Sequence, residues 1–405
     1  MSKFVSFETK YHKTMLDIHD FNRFAEVETP FYFYDIDLFR RTTDALAELS
    51  DSYGIKVHYA VKANSEERLL RMLSARGFGS DCVSANEVVL SAQNGFAPSG
   101  IMLAGVGKTD KEIRTSLEVG IGCFNVESIP EMEVIDAIAG GMGVKAPVAL
   151  RINPNIDPHT HKYITTGLEE NKFGISRFEF EPAVERLKAC SNLDFKGLLF
   201  HIGSQITDVA NVFGLEAKCS RELVSWFEDR GLKVEHVDFG GGLGVDYDDP
   251  DGHPIADFET WMKALRSCFP KDEPYKLHIE PGRSVVAQCG TLVTRVVYVK
   301  KGRTKNFVIV DAGMNDLIRP ALYGAYHKVE NLTASYCRKD NTKDCAYDVV
   351  GPICDSSDVW GEGRILRQTR RGDLLAIRSA GAYGRTMASR YNMRDLAPAV
   401  YSDEL

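Results

Sequence analysis

Lys56-Val57-His58-Tyr59-Ala60-Val61-Lys62-Ala63-Asn64, followed by Glu66–Ala75, is the stretch from which the fold is read. A short, largely apolar run passes straight into a longer helix-like segment, which makes one strand–helix unit. The unit recurs along the chain. Further strand-like runs are Phe78–Cys82, Ile101–Ala104, Gly122–Val126, Pro147–Ile152, Phe195–Ile202, Val234–Phe239 and Lys276–Glu280. Helix-like segments lie between them at Ala85–Asn94, Lys111–Val119, Ile129–Ala139, Glu181–Cys190, Val212–Arg230 and Phe258–Cys268. Continuous apolar strands alternating with longer helices predict parallel βα units. Eight strand candidates over the roughly 250 residues such a barrel takes predict an α/β chain with a (β/α)8, TIM-like barrel. We place it at residues 37–284, with a helix at Leu38–Leu49 ahead of the first barrel strand.

Beyond Gly282 the pattern changes. Val285–Val299, Asn306–Asp311, Cys345–Val350 and Asp373–Arg378 are β-rich with turn residues between them, and Val27–Tyr34 is β-like ahead of the barrel. The expectation is a second, mainly antiparallel β domain from residues 285–405 together with 1–36, which takes in the N-terminal strand.

Composition narrows the class. With 405 residues, 44% hydrophobic and 26% charged, the chain reads as a folded protein of two or three domains. A net charge of −8 with no basic stripe argues against a nucleic-acid partner, and Lys300, Lys301 and Arg303 read as a solvated turn. No apolar stretch approaches the roughly 20 residues that span a bilayer. Asp17, Asp20, Glu26 and Glu28 fall where the apolar core of a signal sequence would lie, so the expected location is the cytoplasm, without a membrane partner. The nine cysteines (82, 123, 190, 219, 268, 289, 337, 345 and 354) are scattered and form no C-x-x-C pair. Neither a disulfide framework nor a metal site is expected, and most should be buried as small apolar residues.

Barrels of this kind carry their chemistry at the C-terminal ends of the strands. Those positions hold Lys62, Asp81, Arg151 with Asn153, His201, the run Gly240-Gly241-Gly242-Leu243-Gly244, and Glu280. A lysine at a barrel mouth can act as a Schiff-base amine when desolvated. A glycine run after a strand can offer backbone N–H groups to a phosphate at close approach. Its G-x-G-x-G spacing is not that of the dinucleotide fingerprint. Gly105-Val106-Gly107-Lys108-Thr109 is not a nucleotide phosphate loop either, because Met102 stands where the first glycine is required. Lysine, phosphate nest and carboxylate together suggest pyridoxal phosphate. Lys62 would hold the aldehyde, the glycines the phosphate, and Glu280 the pyridine nitrogen, while His201 could stack on the ring.

At this point a family resemblance enters. His58–Asn64, His201–Gln205, Asp238–Gly244, Glu280–Arg283, Gly351–Asp358 and Ala380–Gly384 resemble the motifs of the alanine-racemase-fold pyridoxal-phosphate decarboxylases. Three further pieces, Lys162–Gly167, Asn171–Ile175 and Ile318–Tyr323, resemble the diaminopimelate decarboxylases of that family more than the ornithine and arginine enzymes. The likeness spans about Thr29 to Tyr391. It implies a homodimer with active sites shared across the interface, and decarboxylation of meso-diaminopimelate to lysine. It further implies that Lys62, Asp81, His201, Ser204, Gly241, Gly242, Glu280, Gly282, Arg283 and Tyr383 serve the cofactor. Arg283, Arg319, Tyr323, Asp355 and Tyr383 would meet substrate, and Cys354 would supply the proton. A thiol, with an ordinary pKa of about 8.5, is a serviceable acid at neutral pH. Glu280 separates this reading from a racemase of the same fold, which places a cation at the ring nitrogen. The chain departs from the family at Asp355, where Glu is usual, and at Arg385 and Arg390. The alternatives are a decarboxylase of another basic amino acid or polyamine precursor (ornithine, arginine, carboxynorspermidine) and a non-catalytic cofactor-binding homologue.

Overall fold

The structure, a computed structural model, describes residues 18–154, 172–338 and 343–405. The chain divides into two compact units. One comprises Thr43–Gly244 and Asp257–Arg283; the other comprises the residues up to Thr42, Val245–Ala256 and Ser284–Leu405. The divisions thus fall at Thr42 and Arg283, and Val245–Ala256, which no sequence pattern sets apart, belongs with the second unit.

The first regular strand, β1 (Phe31–Tyr34), belongs to the second unit and is taken up with it. The next eight are β2 (Ile55–Ala60), β3 (Gly79–Cys82), β4 (Ile101–Leu103), β5 (Cys123–Val126), β6 (Ala146–Ile152), β7 (Leu193–Phe200), β8 (His236–Asp238) and β9 (Lys276–Ile279). They close in sequence order into a parallel barrel, with β9 returning to β2 through Ile55↔Leu277 and Val57↔Ile279. The intervening helices start and stop where their ends are chemically marked. Thr109 and Glu112 form a reciprocal capping box at the start of Asp110–Val119, and left-handed Gly120 closes that helix.

The barrel interior is not the aliphatic packing usual for this architecture. Met102, Cys123 and Ala149 form an apolar group. On the adjacent strands β8, β9 and β2, buried His236, His278 and His58 lie together, His278 stacked with His236 at 4.8 Å and tilted against His58 at 4.9 Å between ring centroids. A Cβ on Gly79 or Gly197, in the flanking strands, would run into His58 or His236, so glycine makes the room. Burial favours the neutral rings and lowers His58 and His236 to about 4, with His278 also well below its ordinary value.

Acid lability follows. The unfolded chain takes up protons below the ordinary histidine value of about 6.5. The folded barrel does so only near 4. Stability is therefore whole above pH 6.5 and drains as pH falls from there toward 4, by roughly 3 kcal/mol for one such shift taken alone. Urea midpoints at about pH 7.5 and about pH 4.5 measure this. His236→Phe is expected to flatten the dependence, and an unchanged slope would remove the imidazoles from the explanation.

The second unit is built on a sheet of β10 (Gly290–Lys301), β11 (Asn306–Val310), β12 (Val329–Asn331), β13 (Asp344–Val350), β14 (Val359–Arg367) and β15 (Leu374–Ile377), with β16 (Ala399–Tyr401) to one side. The order is β12-β15-β10-β11-β13-β14. β1 runs antiparallel to β10 (Phe31↔Val293) and parallel to β16 (Tyr32↔Ala399). β11 and β13 form the other parallel pair, and the remaining pairings are antiparallel. Phe21, Phe24, Phe31 and Phe33 pack with Val293, Leu332, Leu374 and Ala376 to make the core.

Some expectations need correction. Val285–Val299 is not one strand: Arg283–Val286 is a helical turn, and the strand begins at Gly290. The N-terminal strand starts at Phe31, after Pro30, which lacks the N–H a ladder needs. The sequence pattern misses β14 because Gly361-Glu362-Gly363 interrupts its alternation. Only Cys82, Cys123 and Cys289 are buried; Cys337 and Cys354 are exposed, the other four are partly covered, and all nine are free thiols. The Lys162–Gly167 motif and Asn171 lie outside the described residues. Among the described residues no helix is long and apolar enough to cross a membrane.

Candidate active site

Nine of the residues singled out from sequence lie in the barrel unit: Lys62, Asp81, His201, Ser204, Gly241, Gly242, Glu280, Gly282 and Arg283. Lys62 sits in a short helical turn, Val61–Ala63, immediately after β2. Its Nζ donates to Asp81 Oδ2 at 3.1 Å; the lysine side chain is 37% exposed and that of Asp81 fully buried. An amine held by a buried carboxylate yet open to solvent is one an aldehyde can reach.

His201 follows β7. Its Nδ1 accepts the Gly241 N–H at 3.1 Å, which places the proton of the neutral ring on Nε2. Burial, then the positive charges of Arg151 and Lys62, hold this imidazole well below its usual pKa. Its neutral, flat ring is thereby fixed in orientation.

The 203–206 and 240–244 loops meet backbone to backbone. Ile206 N–H donates to Gly242 O, and Gly244 N–H to Ile206 O, both at 2.9 Å. Gly242 has φ +114°, and a Cβ there would lie 2.8 Å from Gly203 O. A Cβ on Gly241 would collide with the Glu280 carbonyl. The glycine run is therefore needed for the loop contact itself. The phosphate nest narrows as well. Gly240 N–H is taken by Asp238 Oδ1 at 2.8 Å and Gly241 N–H by His201. Among the described residues nothing accepts the Gly242 N–H, which leaves it for an incoming anion. Beside this loop Arg283 Nη2 donates to Ser204 Oγ at 3.0 Å, bringing a buried guanidinium and a hydroxyl together.

Glu280 follows β9, with its N–H on Gly240 O at 2.7 Å. Its Oε1 accepts Asn125 Nδ2 at 3.4 Å. Its carboxyl lies close enough to that of Asp238 for the two to influence each other's charge, and both are buried. Burial comes first, then the negative charges of Asp238 and Asp81, in pushing Glu280 well up; Lys62 and Arg151 oppose this. Asp238 is likewise pushed up, to about 7, chiefly by burial. Two adjacent buried carboxyls favour sharing one proton. A cationic ring nitrogen placed here would return Glu280 to its ionised form. The acceptor pair, the reachable lysine, the neutral imidazole and the open Gly242 N–H all fit pyridoxal phosphate.

Sequence reasoning misses three residues of this centre. Asp238 opens the Asp238–Gly244 motif, but nothing in the motif marks its role. Asn125 and Glu127, at the end of β5, lack any flanking glycine or motif to mark them. Arg151, legible only as a strand end, forms a buried ion pair with Glu127 at 2.7 Å.

The other five, Arg319, Tyr323, Cys354, Asp355 and Tyr383, belong to the β unit. Arg319 is buried over the Tyr247 ring, its guanidinium 4.9 Å from the centroid. Its Nη1 donates to His327 Nε2 at 2.8 Å, so His327 Nδ1 carries the proton it gives to Arg378 O. Half-buried Tyr323 ends the same helical turn, and half-buried Tyr383 has φ +55°. Cys354 is exposed, on a loop whose shape is set by Asp358: its two oxygens accept the Met314 and Ile353 N–H groups, each at 2.7 Å. Asp355, also exposed, accepts the Ser357 hydroxyl at 2.7 Å and N–H at 2.9 Å, which hold its carboxyl below the usual range. Of the two unusual arginines, Arg385 donates to Ala397 O, and Arg390 is exposed.

A closed parallel barrel with this lysine, imidazole and carboxylate set defines a pyridoxal-phosphate-binding barrel. Residues 37–287 match the family described as "Pyridoxal-dependent decarboxylase, pyridoxal binding domain". The chain is 48% identical to the diaminopimelate decarboxylase of Bacteroides thetaiotaomicron, over 96% of this chain and all of that one. It is 41% identical to that of Zymomonas mobilis, over 93% and 88% of the two chains. The crystal structure of diaminopimelate decarboxylase from Helicobacter pylori complexed with L-lysine superposes with a TM-score of 0.84 at 36% identity, covering 95% of this chain and 94% of that one. The chain belongs to the pyridoxal-dependent decarboxylases, and within them to the diaminopimelate decarboxylase family.

Proposed function

We propose that this chain decarboxylates meso-2,6-diaminopimelate to L-lysine and CO2 with pyridoxal phosphate, the last step of lysine biosynthesis. The observation that carries the reading is the Lys62–Asp81 pair together with the buried Asp238–Glu280 carboxyls on one barrel. Relatives that bear this activity's name extend over nearly the whole chain.

Pyridoxal phosphate, when bound, supplies a sink for the electron pair left at Cα as CO2 departs. The residues divide the remaining work. Lys62 Nζ, held by Asp81, would hold the aldehyde carbon. Gly242 N–H, Ser204 and Arg283 hold the phosphate end, with Gly241 and Gly282 keeping the backbone close and Tyr383 assigned there by its motif. His201 offers its neutral face to the ring. Glu280, ionised, keeps the proton on the ring nitrogen. Loss of CO2 leaves Cα needing one proton, and the motif assigns its delivery to the Cys354 thiol. Arg319 and Tyr323 suit a substrate carboxylate. Asp355, held ionised by Ser357, suits the distant ammonium group. A homodimer in the cytoplasm, with each Cys354 and Asp355 serving the partner's site, is the setting the family resemblance implies.

The test is CO2 release by the purified protein with pyridoxal phosphate, offered meso-diaminopimelate, ornithine, arginine and lysine separately. Preferential release from diaminopimelate is the expected result. Release from another amino acid would move the specificity elsewhere in the family. No release from any, despite bound cofactor, would return the chain to a non-catalytic role.

A further inference from the structure

We infer that Glu127 is a positioning residue: it clamps the Arg151 guanidinium and the Phe173–Ile175 turn at the barrel mouth, and through Arg151 sets the charge felt by Glu280 and His201. The inference rests on the decarboxylase reading above for its kinetic consequence, but not for its geometry.

Glu127 has its side chain 2% exposed and uses both oxygens. Oε1 accepts Arg151 Nη1 at 2.7 Å and the Gly105 N–H at 3.1 Å. Oε2 accepts the Gly174 N–H at 2.9 Å. One carboxylate thus ties the ends of β4 and β6 to the turn that follows. That turn is held again by Ile175 N–H to Arg151 O and Asn153 N–H to Ile175 O, and the Phe173 ring lies 4.7 Å from the Arg151 guanidinium carbon. Glu127 is itself anchored. Its N–H donates to Glu131 Oε2 at 2.7 Å, while Glu131 Oε1 pairs with buried Lys108 at 2.5 Å. Lys108 also donates to Gly105 O and Asn125 O, and the Asn125 amide reaches Glu280. The Gly105–Thr109 segment, which fails as a phosphate loop, acts here as a buttress.

The consequence is electrostatic. Glu280 faces Asp238 and Asp81 as like charges, Lys62 and Arg151 as opposite ones, and the Asn125 amide; His201 faces Arg151 and Lys62. Arg151 thus favours ionised Glu280 and neutral His201 together. A guanidinium released from Glu127 drifts or recruits another acid, and both effects weaken.

The experiment is a double-variant cycle on the holoenzyme with Glu127→Gln, Arg151→Met and the pair. Three properties are read: pyridoxal-phosphate affinity, the pH titration of the bound cofactor's absorbance, and kcat/KM. Glu127→Gln is expected to move the titration midpoint by about one pH unit, because the charge that Arg151 presents to Glu280 changes. It is expected to lower kcat/KM by roughly 10-fold to 100-fold. The pair should be no worse than Arg151→Met alone. A wild-type midpoint in Glu127→Gln, or losses that add in full, would overturn the inference. If Glu127→Gln does not fold, Glu127→Asp, which keeps the charge one methylene back, enters the same cycle under the same criteria. Failure of the wild type to release CO2 would defeat the functional reading while leaving affinity and titration to decide this one.

Discussion

Lys62→Ala is expected to give a protein that folds but forms no borohydride-reducible bond to pyridoxal phosphate, with kcat lowered by about three orders of magnitude or more. The size follows from what the site lacks once Nζ is gone. Lys62 donates to Asp81, in a site whose carboxylates are buried and whose histidine is held neutral. Lys108, near the mouth, is buried against Glu131 and two carbonyls and cannot stand in for it. The measurement is peptide mapping after borohydride treatment, alongside single-turnover CO2 release. Cofactor found reduced onto another lysine, with activity retained, would refute the assignment. Folding is not at issue, since the Lys62 side chain is 37% exposed.

Glu280→Gln is expected to retain cofactor and lose about 100-fold to 1000-fold in kcat, the range that removal of one preorganised charge-stabilising group costs. The amide preserves the volume and can still meet Asn125 and Asp238, but it cannot hold a proton on a ring nitrogen by charge. Asp238 is the point of interest. It lies beside Glu280 and is raised to about 7, chiefly by burial. Burial and the Asp81 charge hold it up, and Glu280 acts the other way. Its Oδ1 is held by the Gly240 N–H, which ties its carboxyl to the glycine loop. Near-normal turnover in Glu280→Gln would contradict the electrostatic role. An unchanged cofactor affinity is needed to read the kinetic loss as chemistry rather than binding.

Sequence pattern suffices for the barrel because its strands are short apolar runs between helices with marked ends, such as the Thr109 capping box and Gly120. Each of the eight strand runs overlaps an observed strand. Hidden from that pattern is the polarity of the interior. His58, His236 and His278 sit in strands that read as core, and only closure of β8, β9 and β2 side by side brings their rings together. Lys62, His201 and Glu280 are legible because each ends a strand next to a motif. Asp238 lies within a motif but its part stays hidden, since it depends on pairing with Glu280 from the neighbouring strand. Glu127 is illegible: its meaning lies in three partners from positions 105, 151 and 174. The β unit is read less well, because its strands are interrupted by glycines and by one proline at the edge of β1.

The four aromatic residues of β1, Phe31 to Tyr34, are all buried. Their ladder partners, Val293 back to Gly290, lie about 250 residues further on, and a second set comes only at Ala399–Tyr401. On a ribosome adding about 5–20 residues per second, that delay is roughly 10–50 s. The β1 segment leaves the tunnel ahead of the barrel and waits through synthesis of the whole of it. During that interval it is an apolar, uncharged strand with both edges open, the kind of segment that pairs with copies of itself. The newborn chain is therefore most exposed to aggregation at β1, until β10 and then β16 emerge to cover its two edges.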